Sequence, residues 1–140
     1  MKKVLILLSI LVLAMACVTA ASAANQVTVD GIKFNMVDGF TQNSSDVSDA
    51  IPMHQAQSSF VKGDEVIYIR TMASGATNFA IDQEVFEDTF ADMDVVEKTI
   101  NGKKGYLDDS NGQYAFSYLN GNTIVTVVVP DESYLEKIII

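Results

Sequence analysis

The sequence predicts an α+β protein in which a meander-rich antiparallel β-sheet is flanked by two helices, as an α/β/α sandwich. Asn-Gly pairs begin at Asn101, Asn111 and Asn120, within 21 residues, and such pairs between alternating apolar runs are the strongest short-range hairpin signal. Apolar residues recur with helical spacing over 81–93. The run 124–129 lacks a polar face, which is typical of a strand inside a sheet.

The first half of the chain predicts two hairpins separated by a loop. Apolar residues alternate on both sides of Asp30-Gly31 over 27–36, which predicts two short strands. The segment 41–54 is rich in Ser, Asn and Asp and has no period, so a long polar loop is expected there. A second hairpin joins 55–61 to 65–72 through Lys62-Gly63-Asp64.

The second half predicts a helix, four strands and a closing helix. Five apolar residues define one face of the first helix: Ile81, Val85, Phe86, Phe90 and Met93. The strands are predicted at 95–100, 103–108, 113–119 and 123–129, and the closing helix at 133–140, after Pro130.

The N-terminus has the pattern of a secretory signal peptide. Lys2 and Lys3 precede an apolar run over 4–18, which is shorter than the roughly 20 residues that a spanning helix needs. Ala21-Ser22-Ala23 fits a cleavage site, so we expect residues 1–23 to be removed and 24–140 to form a single exported domain. Retention of this segment as an anchor, or lipidation at Cys17, is the alternative, and membrane attachment is expected only through this N-terminus.

The charge of the processed chain disfavours nucleic acid as a partner. Loss of Lys2 and Lys3 leaves seven basic residues against 18 acidic ones, which changes the net charge from -9 to -11. A phosphate backbone is bound through clustered Lys and Arg, whereas here Arg70 is the only arginine. The composition favours a secreted or cell-surface protein with basic or cationic partners. No cofactor is expected, because no cofactor-binding motif is present.

Three segments resemble small exported proteins of methanogenic archaea: "VTVDGIKFNMVDGF", "EKTINGKKGYL" and "YAFSYLNGNTIVTVVVPDESYLEKIII". The order of predicted elements is similar to that of the PsbP/Mog1-like α/β sandwich. Val37 stands where that pattern has a proline before Asp-Gly-Phe. The resemblance implies the sandwich fold and an accessory or protein-binding role, and it carries no catalytic residue.

The motifs for catalysis are weak in this sequence. Gly102-Lys103-Lys104-Gly105 lies between two predicted strands and lacks the spacing of a phosphate loop, so a lysine-flanked hairpin is predicted. The processed chain has no cysteine, and its single histidine, His54, falls in the predicted loop. A nucleophilic triad needs a base held by a rigid scaffold, which disfavours that chemistry.

Two acidic groups are candidate sites. Asp108, Asp109 and Asn111 resemble part of a calcium loop, although the bidentate Glu of such loops is missing. Acidic residues at helical spacing on the first predicted helix could bind a basic partner or a cation, or could simply be solvated. The members of this acidic ridge are Glu84, Glu87, Asp88 and Asp92.

Two further features belong to predicted strands and loops. Tyr114, Phe116 and Tyr118 share one face of a strand, where they either line a site for an apolar ligand or pack in the core. Asn43-Ser44-Ser45 is a sequon for N-glycosylation at Asn43.

These observations favour an exported, non-catalytic binding or accessory module at the cell surface. The contact surface is expected on the acidic ridge or on the segment 41–54. The alternatives are a hydrolase that uses carboxylates or a divalent metal ion, and a carrier of small apolar ligands.

Overall fold

The structure, a computed structural model, describes residues 25–76 and 78–140. The predicted signal peptide 1–23 and Cys17 lie outside the described residues. The described elements are β1 (Gln26–Val29), β2 (Ile32–Asn35), β3 (Thr41–Ser48), β4 (Met53–Lys62), β5 (Glu65–Ser74), α1 (Gln83–Phe90), β6 (Val96–Ile100), β7 (Lys103–Asp108), β8 (Tyr114–Asn120), β9 (Thr123–Val129) and α2 (Ser133–Ile138). The prediction of an α+β protein with an antiparallel sheet and two helices is confirmed in this coarse form.

Seven of these strands form one antiparallel sheet in the order β3-β4-β5-β9-β8-β7-β6. The hairpins of each half are therefore joined through β5 and β9, which are far apart in sequence. Strand β9 is the fourth of seven, as its lack of a polar face predicts. Strands β1 and β2 form a separate two-stranded hairpin.

Two of the tight turns have the geometry that their sequences predict. Asp30 and Asn101 have φ values of 51° and 49°, and the glycines that follow them also have positive φ. Two consecutive residues with positive φ define a type I′ turn, which Asp-Gly and Asn-Gly adopt readily. At Asn120 the turn is shifted by one residue, because Asn120 pairs with Thr123 and Gly121 becomes the first turn residue. A glycine in that position is typical of a type II′ turn.

The face of the sheet that carries Ile69, Phe116 and Val127 is called the hairpin face. These side chains are buried together with apolar residues of the β1–β2 hairpin, such as Phe34, and of α2, such as Leu135. Asn101 ties the turn between β6 and β7 to α2, because its Nδ2 donates to the carbonyl oxygens of Glu136 and Ile139 at 2.7 and 2.9 Å. The main hydrophobic core therefore lies between this face, the hairpin and the last helix.

The opposite face, which carries Arg70, Thr126 and Ser117, is called the groove face. Helix α1 contacts only one end of it, where Phe86 packs against Ile124 and lies 5.5 Å from the Tyr106 ring, centroid to centroid. Asp82 caps this helix by accepting a hydrogen bond from the Val85 N–H at 2.9 Å. The short helix leaves the part of the groove face over β3, β4 and β5 open.

The prediction of a loop over 41–54 is wrong for most of that segment. Residues 41–48 form β3, whose side chains are all exposed, and 53–54 begin β4. Strand β3 lies at the edge of the sheet, and both of its faces are exposed to solvent. Most of its side chains are polar, which is compatible with this exposure. The propensity of Ser, Asn and Asp for loops is overridden here by pairing with β4.

None of the helices within 25–76 and 78–140 is long and apolar enough to cross a membrane.

Candidate functional site

An open groove of about 420 Å³ lies on the groove face, above β3, β4, β5 and β9. Its volume falls within the range of about 300–1,000 Å³ that is usual for small-molecule sites. Met72 and Ile124 form its apolar end, next to the residues that α1 covers. Six polar residues of the lining share the groove face: Asp46, Ser48, Gln55, Gln57, Arg70 and Thr126. Val47, Ala56 and Thr71, which alternate with them along the strands, complete the lining.

A row of polar side chains runs across the sheet through this groove. Asp46 pairs with Gln57, Gln57 with Arg70, and Arg70 with Thr126, so one residue from each of four neighbouring strands shares the row. Ser117 of β8 extends it, and its hydroxyl lies 2.8 Å from that of Thr126. Because one face of β4, β5, β8 and β9 is buried, the register of these strands is strongly specified, which fixes the backbone positions of their residues in the row.

Arg70 occupies the centre of this row. Its Nε donates a hydrogen bond of 2.6 Å to Oε1 of Gln57, and its guanidinium carbon lies 6.0 Å from the centre of the Tyr68 ring. Arg70 is exposed to solvent, and it forms no ion pair with any carboxylate of the described residues. Because Arg70 is exposed and lines the groove, its guanidinium is accessible to a ligand there.

The lining of the groove is mostly polar and contains few titratable groups. Asp46 is the one carboxylate among its lining residues, and these residues include no histidine or cysteine. His54 is the neighbour of Gln55 in β4, and consecutive residues of a strand point to opposite faces. His54 therefore lies on the hairpin face, away from the hydroxyl groups of the groove.

His54 is held between two carboxylates at the end of the β1–β2 hairpin. Its Nε2 lies 2.9 Å from Oδ1 of Asp30, and its Nδ1 is hydrogen-bonded to Asp49. Asp30 in turn accepts a hydrogen bond of 3.2 Å from the hydroxyl of the buried Thr71. The hydrogen bonds to Asp30 and Asp49 raise the pKa of His54 above its ordinary value of 6.5. The prediction of a loop histidine is wrong, since His54 belongs to β4 and connects three segments.

The acidic ridge is only partly helical. Glu84, Glu87 and Asp88 are exposed on α1, whereas Asp92 lies beyond Phe90, where the helix ends. The expected spacing of a continuous helical ridge is therefore interrupted before its last member. Glu87 accepts a hydrogen bond of 3.0 Å from Gln83 within the helix. Binding of a basic partner by this surface stays a prediction.

The candidate calcium loop is a polar turn in this structure. Oδ1 of Asp108 accepts hydrogen bonds from the N–H and the hydroxyl of Ser110, at 2.9 and 2.5 Å, which lowers the pKa of Asp108. Asp109 and Asn111 are exposed in the same turn. Across the described part of the chain, no group of three or more His, Cys, Asp or Glu residues is arranged to hold a metal ion. Metal binding by Asp108, Asp109 and Asn111 stays a prediction.

The aromatic stripe contributes to the core. Phe116 and Tyr118 are buried on the hairpin face with their ring centres 5.9 Å apart, and burial raises the pKa of Tyr118 to about 12. Tyr114 is only partly buried at the margin of the same cluster. These residues do not line the open groove, which lies on the other face of the sheet. An apolar-ligand site at Tyr114, Phe116 and Tyr118 therefore has no support from the groove.

The sequon lies on the edge strand. Asn43 is the extra residue of a β-bulge, because the register of β3 with β4 shifts between Gln42 and Ser44. Its side chain is exposed. Glycosylation at Asn43 stays a prediction.

The lysine pair at the β6–β7 turn does not form a phosphate site. Lys103 and Lys104 are consecutive in β7 and therefore point to opposite faces. Lys104 forms an ion pair of 2.7 Å with Glu97 on the neighbouring strand. The two side chains do not converge on one point, as the hairpin interpretation predicts.

Comparison of the chain with models of protein families, with curated proteins and with solved structures finds no match.

None of the sites predicted from the sequence contains the polar row of the groove. The alternation of Gln55, Gln57 and Ser59 indicates a polar face on β4, and Arg70 is polar within an apolar strand. Neither pattern shows that β5 pairs with β9. The groove depends on that long-range pairing, which no local period encodes.

Proposed function

We propose that this protein is an exported, non-catalytic binding module of the cell surface, and that the open groove holds a hydroxyl-rich ligand, a saccharide. The observation that carries the proposal is the set of six polar side chains that four neighbouring strands present around one open groove. Export rests on the signal-peptide pattern of residues 1–23. The resemblance to the PsbP/Mog1-like sandwich, a fold that often serves in accessory units, supports the same role.

The hydrogen-bonding groups of the groove match a saccharide. Sugar hydroxyls both donate and accept, and the lining offers acceptors, donors and groups that do both. Asp46 accepts, Arg70 donates, and Gln55 and Thr126 can do either. Met72 and Ile124 supply a small apolar surface for the C–H groups of a sugar ring.

We favour binding over hydrolysis because the lining of the groove contains a single carboxylate. Glycoside hydrolysis in most enzymes uses two carboxyl groups, about 5–10 Å apart, on either side of the scissile bond. Asp46 is the single carboxylate of the described lining. A groove with one carboxylate can orient a saccharide, but it lacks the partner for acid–base chemistry.

The test is an NMR titration of the exported protein, labelled with ¹⁵N, with galactose, glucose, mannose and N-acetylglucosamine oligomers and with a galacturonic acid oligomer. We expect at least one of them to shift amide signals of β3, β4, β5 and β9. Gln55→Ala is expected to weaken that binding about fivefold, as loss of one hydrogen bond near 1 kcal/mol implies. Gln113→Ala, an exposed glutamine outside the groove, serves as the control and is expected to leave affinity unchanged. Absence of shifts at millimolar saccharide, or shifts confined to α1, would contradict the proposal.

A further inference from the structure

We infer that Arg70 makes the groove selective for a saccharide that carries a carboxylate, such as a uronic acid. This inference rests on the proposed function, because it assigns the ligand class of the same groove. Arg70 is the specificity-determining residue, and the other polar groups of the row bind the ring hydroxyls.

The orientation of Arg70 is the first argument. Its hydrogen bond to Gln57 occupies Nε and fixes the plane of the guanidinium, while Tyr68 lies beside it. The end of the fork, with the two Nη groups, is left for a ligand. A guanidinium binds a carboxylate through two parallel hydrogen bonds, a geometry that a lysine cannot reproduce.

The lack of an internal partner for Arg70 is the second argument. The chain has 18 acidic residues and nine basic ones, so carboxylates are abundant. Two of the seven described basic residues, Lys98 and Lys104, form ion pairs, with Glu132 and Glu97. Arg70 has no carboxylate of the described residues within ion-pair distance, although it lies in the groove beside other polar groups. Asp46 shares the groove but lies two strands away, with its backbone about 10 Å from that of Arg70 at the usual spacing of about 4.8 Å per strand.

The distribution of acceptors along the row is the third argument. Asp46 can accept hydrogen bonds from ligand hydroxyls, while Arg70 requires an acceptor on the ligand. A carboxylated sugar supplies both kinds of group on one rigid ring. A zwitterionic amino acid would pair with Asp46 and Arg70 but would leave Ser48, Gln55 and Thr126 without ligand groups. The mixed lining therefore favours the sugar acid.

The experiment compares three ligands by isothermal titration calorimetry with the exported protein: a galacturonic acid trimer, its methyl ester and a galactose trimer. The ester keeps the shape of the acid and removes its charge. We expect the acid to bind about tenfold more tightly than the ester or the neutral trimer, since hydrogen bonds to charged groups contribute more than neutral ones. Arg70→Gln is expected to abolish that difference, and Arg70→Lys to restore only part of it.

Lys104→Gln is the matched control, because it removes one positive charge from the same face of the sheet outside the groove. It is expected to retain the preference for the acid. Thermal unfolding of each variant verifies that it is folded. Equal affinity of the wild-type protein for acid and ester, or an unchanged preference in Arg70→Gln, would overturn the inference. Binding of neutral saccharide in the groove without any preference would leave the proposed function standing, whereas absence of all saccharide binding would remove both.

Discussion

At the scale of single residues, His54 combines a structural contact with a raised pKa. A neutral imidazole carries one N–H, so it can donate to only one of its two carboxylate neighbours, Asp30 and Asp49. The imidazolium donates to both, which is why the pKa of His54 is raised in the folded state. The side chain is 27% exposed, so water weakens the effect without removing it.

The pH dependence of stability follows from the sign of this shift. A histidine whose folded-state pKa exceeds its unfolded value of about 6.5 contributes stability that is complete below that value and is lost as the pH rises through the folded-state pKa. We therefore expect the free energy of unfolding, measured by urea denaturation, to fall as the pH rises above about 6.5. His54→Gln should flatten this profile, because the chain has no other histidine. An unchanged slope in the variant would show that another group causes it.

At the scale of elements, Gly105 permits the close approach of β7 and β8. A Cβ atom at this position would lie 2.0 Å from the carbonyl oxygen of Ser117, which belongs to the backbone of the neighbouring strand. Backbone atoms cannot move away without separating the strands. Gly105 is therefore required by the close contact between two strands. Gly102, the other glycine of "GKKGYL", has a positive φ and is required by the turn.

Gly105→Ala is expected to destabilise the protein by about 1–3 kcal/mol or more, as overpacking of a closely packed interior does. The measurement is the midpoint of urea unfolding, combined with the hydrogen-exchange rates of amides in β7 and β8. Gly75→Ala provides the control, because a Cβ there would lie in ordinary contact, 3.6 Å from the nearest atom. If both variants unfold at the same urea concentration, the close contact is relieved in some other way.

At the scale of the whole molecule, one sheet contains strands from both halves of the chain, and the chain carries a large excess of negative charge. The chain has a net charge of -9, which becomes -11 if residues 1–23 are removed. Excess charge of one sign destabilises a compact state through self-repulsion, and salt screens charges separated by more than about 10 Å at 0.1 M ionic strength. Moderate salt should therefore increase the stability of the folded state.

We expect the melting temperature to rise by a few degrees between about 10 mM and 150 mM NaCl, a change equivalent to about 1 kcal/mol. Calcium chloride at the same ionic strength is expected to produce the same rise if the acidic residues act only through their general field. A larger rise with calcium, abolished by Asp109→Asn, would instead support the metal site predicted at Asp108, Asp109 and Asn111. A fall in melting temperature with NaCl would contradict the argument from self-repulsion.

Several elements could be predicted from the sequence because their signals are local. Positive φ at Asp30 and Asn101 follows from the preference of Asp-Gly and Asn-Gly for one turn type. The period of Phe86 and Phe90 indicates α1, and the uniformly apolar β9 indicates an inner strand. The segment 41–48 could not be predicted as a strand, because edge pairing with β4 overrides the loop propensity of its residues.

The candidate groove required information that no local pattern contains. Arg70 meets Thr126 across the sheet because β5 pairs with β9, and Gln57 meets Arg70 because β4 pairs with β5. Likewise, His54 gains one of its two carboxylate neighbours, Asp30, from the turn of the β1–β2 hairpin, 24 residues earlier.

Turn geometry, strand and helix periods and the excess of negative charge are properties of short segments or of composition, so they could be derived from the sequence of this protein. The histidine between two carboxylates depends on how the β1–β2 hairpin packs beside β4. The polar row depends on the register between β5 and β9, and the contact at Gly105 on the register between β7 and β8. That register depends on which apolar faces pack together in the folded chain, a choice made by the whole core rather than by any one segment.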